Sequence, residues 1–231
     1  MTPATVDPRA LLAELVALPG ATVVDVGCGE GALVRWLAGH GAHAIGVEVG
    51  AEPLARARAA TPVGDERYVQ GGGEALPLPD ASADAVTFIH SLHHVPVASM
   101  GRALEEAARV LRPGGAVFVQ EPLPEGEQFE VLRPLDDETD VRRAAQGALA
   151  RPPAGLRAER SETLDLLVAH ASFEALCDRV VLNDAARAAR LAAVEPEMRA
   201  RFERHARPAE GGGFLLRQPT KIDLLRREQA P

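Results

Sequence analysis

The segment that decides the fold is Val23-Val24-Asp25-Val26-Gly27-Cys28-Gly29-Glu30-Gly31. It begins as an apolar run of the kind that forms a strand buried on both faces, and it leads directly into three spaced glycines. Glycine has no Cβ atom, so a ligand can approach the backbone closely, and a helix that follows offers unpaired N–H groups. The segment therefore predicts a strand, a ligand-binding loop and a helix.

The first half of the chain repeats this alternation of apolar runs and helical spacing. Further strand patterns occupy 42–48, 67–70, 83–89 and 116–120, with helical patterns over 31–40, 51–60 and 100–111. Such alternation predicts parallel strands joined by right-handed crossovers. We expect an α/β fold with a Rossmann-like, doubly wound, mostly parallel sheet of seven strands and a C-terminal antiparallel hairpin.

Composition and charge exclude several classes of protein. The chain is 46% hydrophobic and 3% aromatic, and its net charge of −8 disfavours a nucleic-acid-binding surface. No apolar run approaches the roughly 20 residues that span a bilayer, and the N-terminal residues lack the basic region of a signal peptide. Cys28 and Cys177 lie in unrelated contexts and predict no disulfide. These features predict a soluble, cytoplasmic, globular protein, and they leave its oligomeric state open.

An acidic residue, Glu48, ends the second predicted strand. In this architecture such a side chain accepts hydrogen bonds from a ribose diol. The loop and the acid fit two cofactors, because Gly27, Gly29 and Ala32 also match the G-x-G-x-x-G/A pattern of nicotinamide sites. Asp25 favours a cofactor that carries positive charge, since its carboxylate would repel a pyrophosphate.

Four later segments, together with the glycine loop, carry a family resemblance. They are 71–78 (GGGEALPL), 84–86 (DAV), 91–95 (SLHHV) and 109–115 (RVLRPGG). They resemble G-D-A-E-x-L-P, D-x-V, L-H-H and R-x-L-(K/R)-P-G-G of the class I S-adenosylmethionine-dependent methyltransferases. Within that class, the chain resembles the small-molecule group with a ubiquinone/menaquinone-biosynthesis-like methyltransferase domain.

The resemblance implies S-adenosyl-L-methionine as the cofactor and gives several residues a place around it. Asp25 and the loop Gly27, Cys28 and Gly29 would face the methionine end, Glu48 would hold the ribose hydroxyls, Val49 would flank the adenine, Glu74 and Ala75 would follow its edge, and His90 would lie near the sulfonium. The family's adenine-contacting aspartate aligns with Gly72, so Glu74 or backbone carbonyls would have to replace it. The Cys28 thiol is expected to pack as a small side chain and not to act as a nucleophile.

The chemistry of methyl transfer asks for few catalytic groups. A methyl on a sulfonium is already activated, so positioning matters most, and a general base is needed only where the nucleophile must lose a proton. His93 and His94 are the candidate catalytic residues, with a helix-start or packing role as the alternative for at least one of them. Glu121, at the end of the fifth strand, is a further candidate for the pocket. No metal site is expected, because adjacent histidines point to different sides and no matching ligand spacing accompanies them.

We expect the chain to form a single domain, 1–231, in three regions. These are a cofactor-binding half (1–121), a mostly helical substrate-side insertion (122–210) and an edge hairpin (211–231). The insertion places Leu191, Val194, Met198 and Phe202 on one helix face, which either packs on a core or covers a substrate or partner. Pro196 is expected to open a new helix. Arg133, Arg142 and Arg143 are interpreted as a solvated helix face, with binding of an acidic substrate as the alternative.

The sequence thus predicts an S-adenosylmethionine-dependent methyltransferase that moves a methyl group to O, N or C of an unidentified small molecule. One alternative is a non-catalytic, cofactor-binding regulator or partner of the same fold. A NAD-dependent oxidoreductase is a weaker alternative, because no Tyr-x-x-x-Lys pair is present.

Overall fold

The computed structural model of the protein describes residues 8–182 and 187–229. The strands are β1 (Thr22–Val26), β2 (His43–Glu48), β3 (Glu66–Gln70), β4 (Ala83–Ile89), β5 (Leu111–Pro122), β6 (Leu156–His170), β7 (Arg207–Pro208) and β8 (Phe214–Arg227). The helices are α1 (Pro8–Leu15), α2 (Ala32–Gly39), α3 (Ala51–Ala59), α4 (Met100–Val110), α5 (Glu127–Leu132), α6 (Thr139–Leu149), α7 (Phe173–Leu182) and α8 (Arg187–His205). Two short 3₁₀ turns, Leu92–His94 and Val97–Ser99, follow β4.

The strands form one sheet in the order β3-β2-β1-β4-β5-β8-β6, with β7 paired to β8. The pairs β1–β2, β1–β4, β2–β3 and β4–β5 are parallel. The order reverses between β1 and β4, which is the switch point where ligands bind in doubly wound sheets. The predicted α/β fold with a mainly parallel sheet is therefore confirmed.

Chain contacts divide the protein into two compact units. The sheet unit comprises 8–121, Ala144–Glu162 and 221–229, and the helical unit comprises Pro122–Arg143 and Thr163–Thr220 in its described parts. Residues 144–162, which lie within the predicted insertion (122–210), thus belong to the sheet unit.

The core of the sheet unit explains why its strands are so apolar. Val24, Val86 and Val117 are completely buried on β1, β4 and β5. Helix α4 adds Leu104, Ala107 and Val110 to the same core, three residues apart and with no exposed surface. Burial of each such side chain contributes about 1.5–3 kcal/mol to the stability of the fold, which is why these short strands are stable within the sheet.

The helical unit has a core of its own, and the predicted face of α8 belongs to it. Met198 and Phe202 are buried, and Leu191 and Val194 pack against the same cluster. The packing interpretation of this face is confirmed. Pro196 does not open a new helix: it lies inside the continuous α8, since this shared apolar face packs on both sides of it.

Arg142 is not on a solvated face, so that interpretation is wrong for this residue. It is buried, its guanidinium donates to Glu138 Oε2 at 2.7 Å and to the Leu123 carbonyl at 3.0 Å, and it lies 5.1 Å from the centre of the Phe129 ring. These bonds engage the charge within the helical unit, which leaves Arg142 a structural role.

An antiparallel hairpin is present as predicted, but its first strand, β7, lies before residue 211, where the predicted hairpin (211–231) begins. β7 pairs with the start of β8 across the turn containing Gly211-Gly212-Gly213. The segments on either side of Gln218-Pro219 form one continuous strand, and β8 lies between β5 and β6, so it is not at the sheet edge.

No helix in the described ranges is both long enough and apolar enough to cross a bilayer.

Candidate active site

The glycine loop after β1 has the conformation and the open space that its sequence predicts. Gly27 and Gly29 adopt φ values of +74° and +52°, in the left-handed region that favours glycine. A Cβ atom on Gly27 would lie 2.6 Å from Cβ of Ser91, so the loop needs glycine there to approach the turn after β4. A Cβ on Gly29 would meet nothing within 4 Å, so the backbone at this position is open to a ligand.

Glu48 holds the loop and the end of β2 together. Its side chain is buried, Oε2 accepts a hydrogen bond from Gly29 N at 2.9 Å, and Oε1 accepts one from Gly50 N at 2.7 Å. A carboxylate has about four acceptor directions, so two remain for hydroxyl groups of a ligand. Sequence position alone predicted this residue, and the structure brings it to the loop.

Asp25 is a carboxyl group with an unusual protonation equilibrium. It is 3% exposed, and the Thr87 hydroxyl donates to its Oδ1 at 2.8 Å. Burial, and to a smaller extent repulsion from Glu48, raises the pKa of Asp25 to about 7, against the opposing hydrogen bond from Thr87. A positively charged ligand nearby would favour the ionised carboxylate.

A cavity of about 390 Å³ lies at the carboxyl ends of β1, β2 and β4, entirely within the sheet unit. Its lining residues are Val26, Gly27, Glu48, Val49, Gly71, Gly72, Gly73, Glu74, His90, Ser91, His94, Val95 and Pro96. Six residues predicted from the sequence therefore come together here, namely Gly27, Glu48, Val49, Glu74, His90 and His94. Asp25, Cys28, Gly29, Ala75 and His93 were also predicted and are not among the lining residues.

The turn after β4 lines this cavity, and hydrogen bonds fix its conformation. His90 has φ +54°, and the Gln120 amide donates to its Nε2 at 2.8 Å. The Ser91 hydroxyl donates to the Val26 carbonyl at 2.6 Å, which fixes the turn against β1. A non-glycine residue in this backbone region is uncommon and is retained where the surroundings enforce it, often at functional sites.

Glu121, at the end of β5, accepts hydrogen bonds from the turn that carries the two adjacent histidines. Its buried carboxylate accepts hydrogen bonds from the N–H groups of Ser91 at 3.1 Å and Leu92 at 2.8 Å, and from His93 Nδ1. The buried His93 ring lies 4.1 Å from the ring of His94, which is exposed and lines the cavity. The two histidines thus have different surroundings, which the sequence could not distinguish.

The loop over 71–80, here called the rim, is clamped by helix α4. Glu106 Oε2 accepts a hydrogen bond from Leu76 N at 3.0 Å, and Arg109 donates to the Leu76 carbonyl at 2.9 Å and the Leu78 carbonyl at 2.8 Å. Arg109 also pairs with Glu106 at 2.7 Å, and this pairing lowers the pKa of the Glu106 carboxyl. Two of the motifs that carry the resemblance, 71–78 and 109–115, are therefore hydrogen-bonded to one another through Arg109.

Cys28 has the packed environment expected of it. Its Sγ lies 2.7 Å from where a Cβ of Gly46 would stand, and its backbone N donates to the Val47 carbonyl at 3.1 Å. Burial raises the pKa of the thiol to about 12, so it stays protonated and unreactive at neutral pH.

The donor set tests which cofactor suits the cavity. Carboxylates of Glu48 and Glu74 line it, and none of the described residues in its lining is lysine or arginine. Val49 is 72% exposed and offers an apolar surface to a flat ring. Acidic acceptors, an apolar wall and no cation suit a cofactor with hydroxyl and amino groups and positive charge, and they disfavour a pyrophosphate. The residues present therefore fit S-adenosylmethionine.

Part of the chain is similar in sequence to known proteins. Residues 24–119 match a family model described as a methyltransferase domain. The 27-O-demethylrifamycin SV methyltransferase of Amycolatopsis mediterranei is 34% identical over 140 residues, which are 57% of this chain and 48% of that protein. The ubiquinone biosynthesis O-methyltransferase of Aeromonas salmonicida is 43% identical over 105 residues, 43% of this chain and 42% of that protein.

A solved structure shares the fold over nearly the whole chain. It is an S-adenosylmethionine-dependent methyltransferase from Mesorhizobium loti, 24% identical with a TM-score of 0.54, and the match covers 95% of this chain and 96% of that one. The chain spans about half the length of the curated relatives it matches. The resemblance stated from the sequence motifs is confirmed: residues 24–119 match the model of a methyltransferase domain, and S-adenosylmethionine is the cofactor expected of that class.

Proposed function

We propose that the protein transfers the methyl group of S-adenosylmethionine to O, N or C of a small molecule. The observation that carries this proposal is the cavity at the switch point of the sheet, within the residues that match a methyltransferase domain. Among its described lining residues are the carboxylates Glu48 and Glu74, and none is lysine or arginine. When bound, the cofactor supplies an activated methyl group on a sulfonium. The protein then has to bind the cofactor, exclude water and align the acceptor, and alignment alone can lower the barrier by about 7–11 kcal/mol.

The cofactor contacts follow from the chemistry of each group. Glu48 has acceptor capacity beyond Gly29 and Gly50 and takes the ribose hydroxyls. Val49 lies against the adenine, and Glu74, with the backbone of Ala75, follows the adenine edge. We assign Asp25 and the backbone of Gly27, Cys28 and Gly29 to the methionine end of the cofactor. We assign His90 to a position near its methyl group.

His94 is the proposed catalytic base, for acceptors that must lose a proton. It lines the cavity and is exposed, whereas His93 is buried beneath it and bonded to Glu121. We assign His93 and Glu121 to positioning: the carboxylate fixes the His93 ring, and that ring supports His94. A base of this kind contributes typically 10²–10⁴-fold to a rate.

Residues 122–210 are proposed to determine acceptor specificity. The family model ends at residue 119, so these residues lie in a part of the chain that the shared domain does not account for. Small-molecule methyltransferases that share one cofactor site must differ elsewhere, because the cofactor is common to all of them.

Calorimetry tests cofactor binding directly. We expect the protein to bind S-adenosylmethionine and S-adenosylhomocysteine and not NADH. Glu48→Gln should weaken binding of both by at least about tenfold, because it removes a charged acceptor. Glu52→Gln is the matched control, since the Glu52 carboxylate is 91% exposed on α3. Binding of NADH alone would refute the proposal.

A radiolabelled-methyl assay over a panel of phenols, quinols, amines and carboxylic acids tests catalysis. If the acceptor found is a phenol or quinol, which must lose a proton, His94→Ala should lower kcat about 100-fold or more at pH 7 while leaving the Kd for S-adenosylhomocysteine unchanged. Tight cofactor binding with no transfer to any panel member would favour the non-catalytic regulator instead.

A further inference from the structure

Strand β6 forms one edge of the sheet and is long for an edge strand. It runs over 15 residues, Leu156–His170, and pairs with β8 on one side. Among the strands within 8–182 and 187–229, none pairs with its other side, whereas β3 at the opposite edge has only five residues. A long edge strand presents a row of backbone N–H and C=O groups that can pair with another chain.

The charged side chains of β6 are arranged symmetrically about Ser161, which is itself exposed. Arg160 and Glu162 flank it on one face of the strand and pair with one another at 2.8 Å. On the other face, the side chains of Arg157 and Asp165 are 61% and 53% exposed. A basic residue one or four positions before Ser161 is thus matched by an acidic residue one or four positions after it.

The hydrogen bonding of β6 indicates which of its backbone groups face away from β8. The Glu228 N–H donates to the Gly155 carbonyl at 2.9 Å, so in a regular strand the odd-numbered residues of β6 bond to β8. The backbone groups of Arg160 and Glu162 therefore point outward, where an added strand would bond to them. Ser161 would face such a strand at a non-hydrogen-bonded position, where opposite Cα atoms are only about 4.5 Å apart.

A two-fold axis through Ser161 satisfies both the charges and the backbone. In a symmetric antiparallel pair of identical strands, residues at equal distances on either side of the axis lie opposite each other. With the axis at Ser161, Arg160 lies opposite Glu162 and Arg157 lies opposite Asp165, and each pair occurs twice. An axis one residue to either side breaks both pairings.

We propose that β6 pairs with β6 of a second copy of this chain, antiparallel and with Ser161 on the two-fold axis. Glu159, two positions before the axis, already accepts from Arg226 of β8 at 2.9 Å and needs no partner in the other copy. Asp165 pairs with Arg217 at 2.8 Å, and a carboxylate has acceptor directions for a second guanidinium. The pairing covers the exposed edge in both copies, and it is independent of the proposed function because no residue lining the cofactor cavity takes part.

Light scattering on a dilution series tests whether the dimer forms. We expect a mass of twice 24.4 kDa at high protein concentration, falling to that of one chain on dilution. Arg160→Glu and Glu162→Arg should each raise the dimer Kd by about tenfold or more, because each places like charges opposite one another at two positions. The double variant exchanges the two charges, and its Kd should return to within about threefold of the wild type.

Cysteine cross-linking tests the register. Ser161→Cys should form a disulfide-linked dimer in the presence of a mild oxidant, since the two thiols lie together at the axis. Thr163→Cys is the matched control: this residue is exposed on the same face of β6, but its two copies would lie about 14 Å apart, too far for a disulfide. Cys28 and Cys177 are buried, so they should not contribute. Urea unfolding checks that each variant is folded.

A single-chain mass at every concentration overturns the inference, and so does a dimer whose Kd is unchanged in both single charge variants. Cross-linking through Thr163→Cys but not through Ser161→Cys overturns the register. A double variant as weak as the single variants overturns the pairing of Arg160 with Glu162. None of these outcomes concerns cofactor binding, so the calorimetry described above tests the proposed function separately.

Discussion

Replacing Asp25 by asparagine should make the ligand-free protein more stable at alkaline pH. Asp25 is buried beside Thr87, and burial raises its pKa from 3.8 to about 7. Above that pH the folded protein holds a poorly solvated charge, whereas the unfolded chain exposes the same charge to water. Asparagine has nearly the same shape, keeps an oxygen for the Thr87 hydroxyl and is never charged.

The pKa shift gives both the sign and the size of the effect. Since the folded-state pKa is raised, the favourable contribution of the protonated carboxyl is fully present below pH 3.8 and is lost as the pH rises through about 7. Each unit corresponds to about 1.4 kcal/mol, so the full shift corresponds to about 4 kcal/mol. Asp25→Asn should exceed the wild type in free energy of unfolding by about 2 kcal/mol at pH 5 and about 4 kcal/mol at pH 8.

Urea unfolding followed by circular dichroism at pH 5, 6, 7 and 8 measures this difference. Asp178→Asn is the matched control, because Asp178 is exposed on α7 and its stability difference should not vary with pH. An Asp25→Asn advantage that stays constant from pH 5 to pH 8, or its absence at pH 8, would refute the reasoning. The same variant should bind S-adenosylhomocysteine more weakly, so that stability and affinity change in opposite directions.

Three further changes probe the framework of the site. Gly27→Ala should cost about 2 kcal/mol or more in urea unfolding, because φ is +74° and the new Cβ would meet Ser91 at 2.6 Å; a neutral result would place the loop differently. Glu121→Ala should cost about 2–4 kcal/mol, since buried N–H groups lose their acceptor, and Glu121→Gln should recover part of it in the same assay. Met198→Ala should cost about 2–5 kcal/mol, and a loss below 1 kcal/mol by thermal and urea unfolding would contradict its burial in the helical core.

Local signals in the sequence were sufficient for the parallel sheet and for the centre of the site. The valine runs of β1 and β4 and the glycines after β1 depend on neighbours within a few residues, so their pattern predicts them. Glu48 and His94 follow from the rule that the carboxyl ends of parallel strands meet at one edge. With the family resemblance, which added Val49, Glu74 and His90, they gave six of the residues that line the cavity.

The remaining features depend on contacts between distant parts of the chain. The position of β8 between β5 and β6 is a non-local pairing, and no turn signal specifies it. The Arg142 side chain contacts the Leu123 carbonyl and the Phe129 ring. Helical spacing alone does not predict these contacts or the burial of Arg142. The unequal surroundings of His93 and His94 arise from Glu121, 28 residues beyond His93.

The clamp between α4 and the rim has a consequence for how this domain varies among species. Leu76, Leu78 and Arg109 are joined by backbone hydrogen bonds from one guanidinium, so the conformation of the rim depends on a residue about 30 positions away. Lysine cannot reproduce the forked geometry of arginine at such a site. Relatives without arginine at this position should therefore also differ in the length or glycine content of the rim.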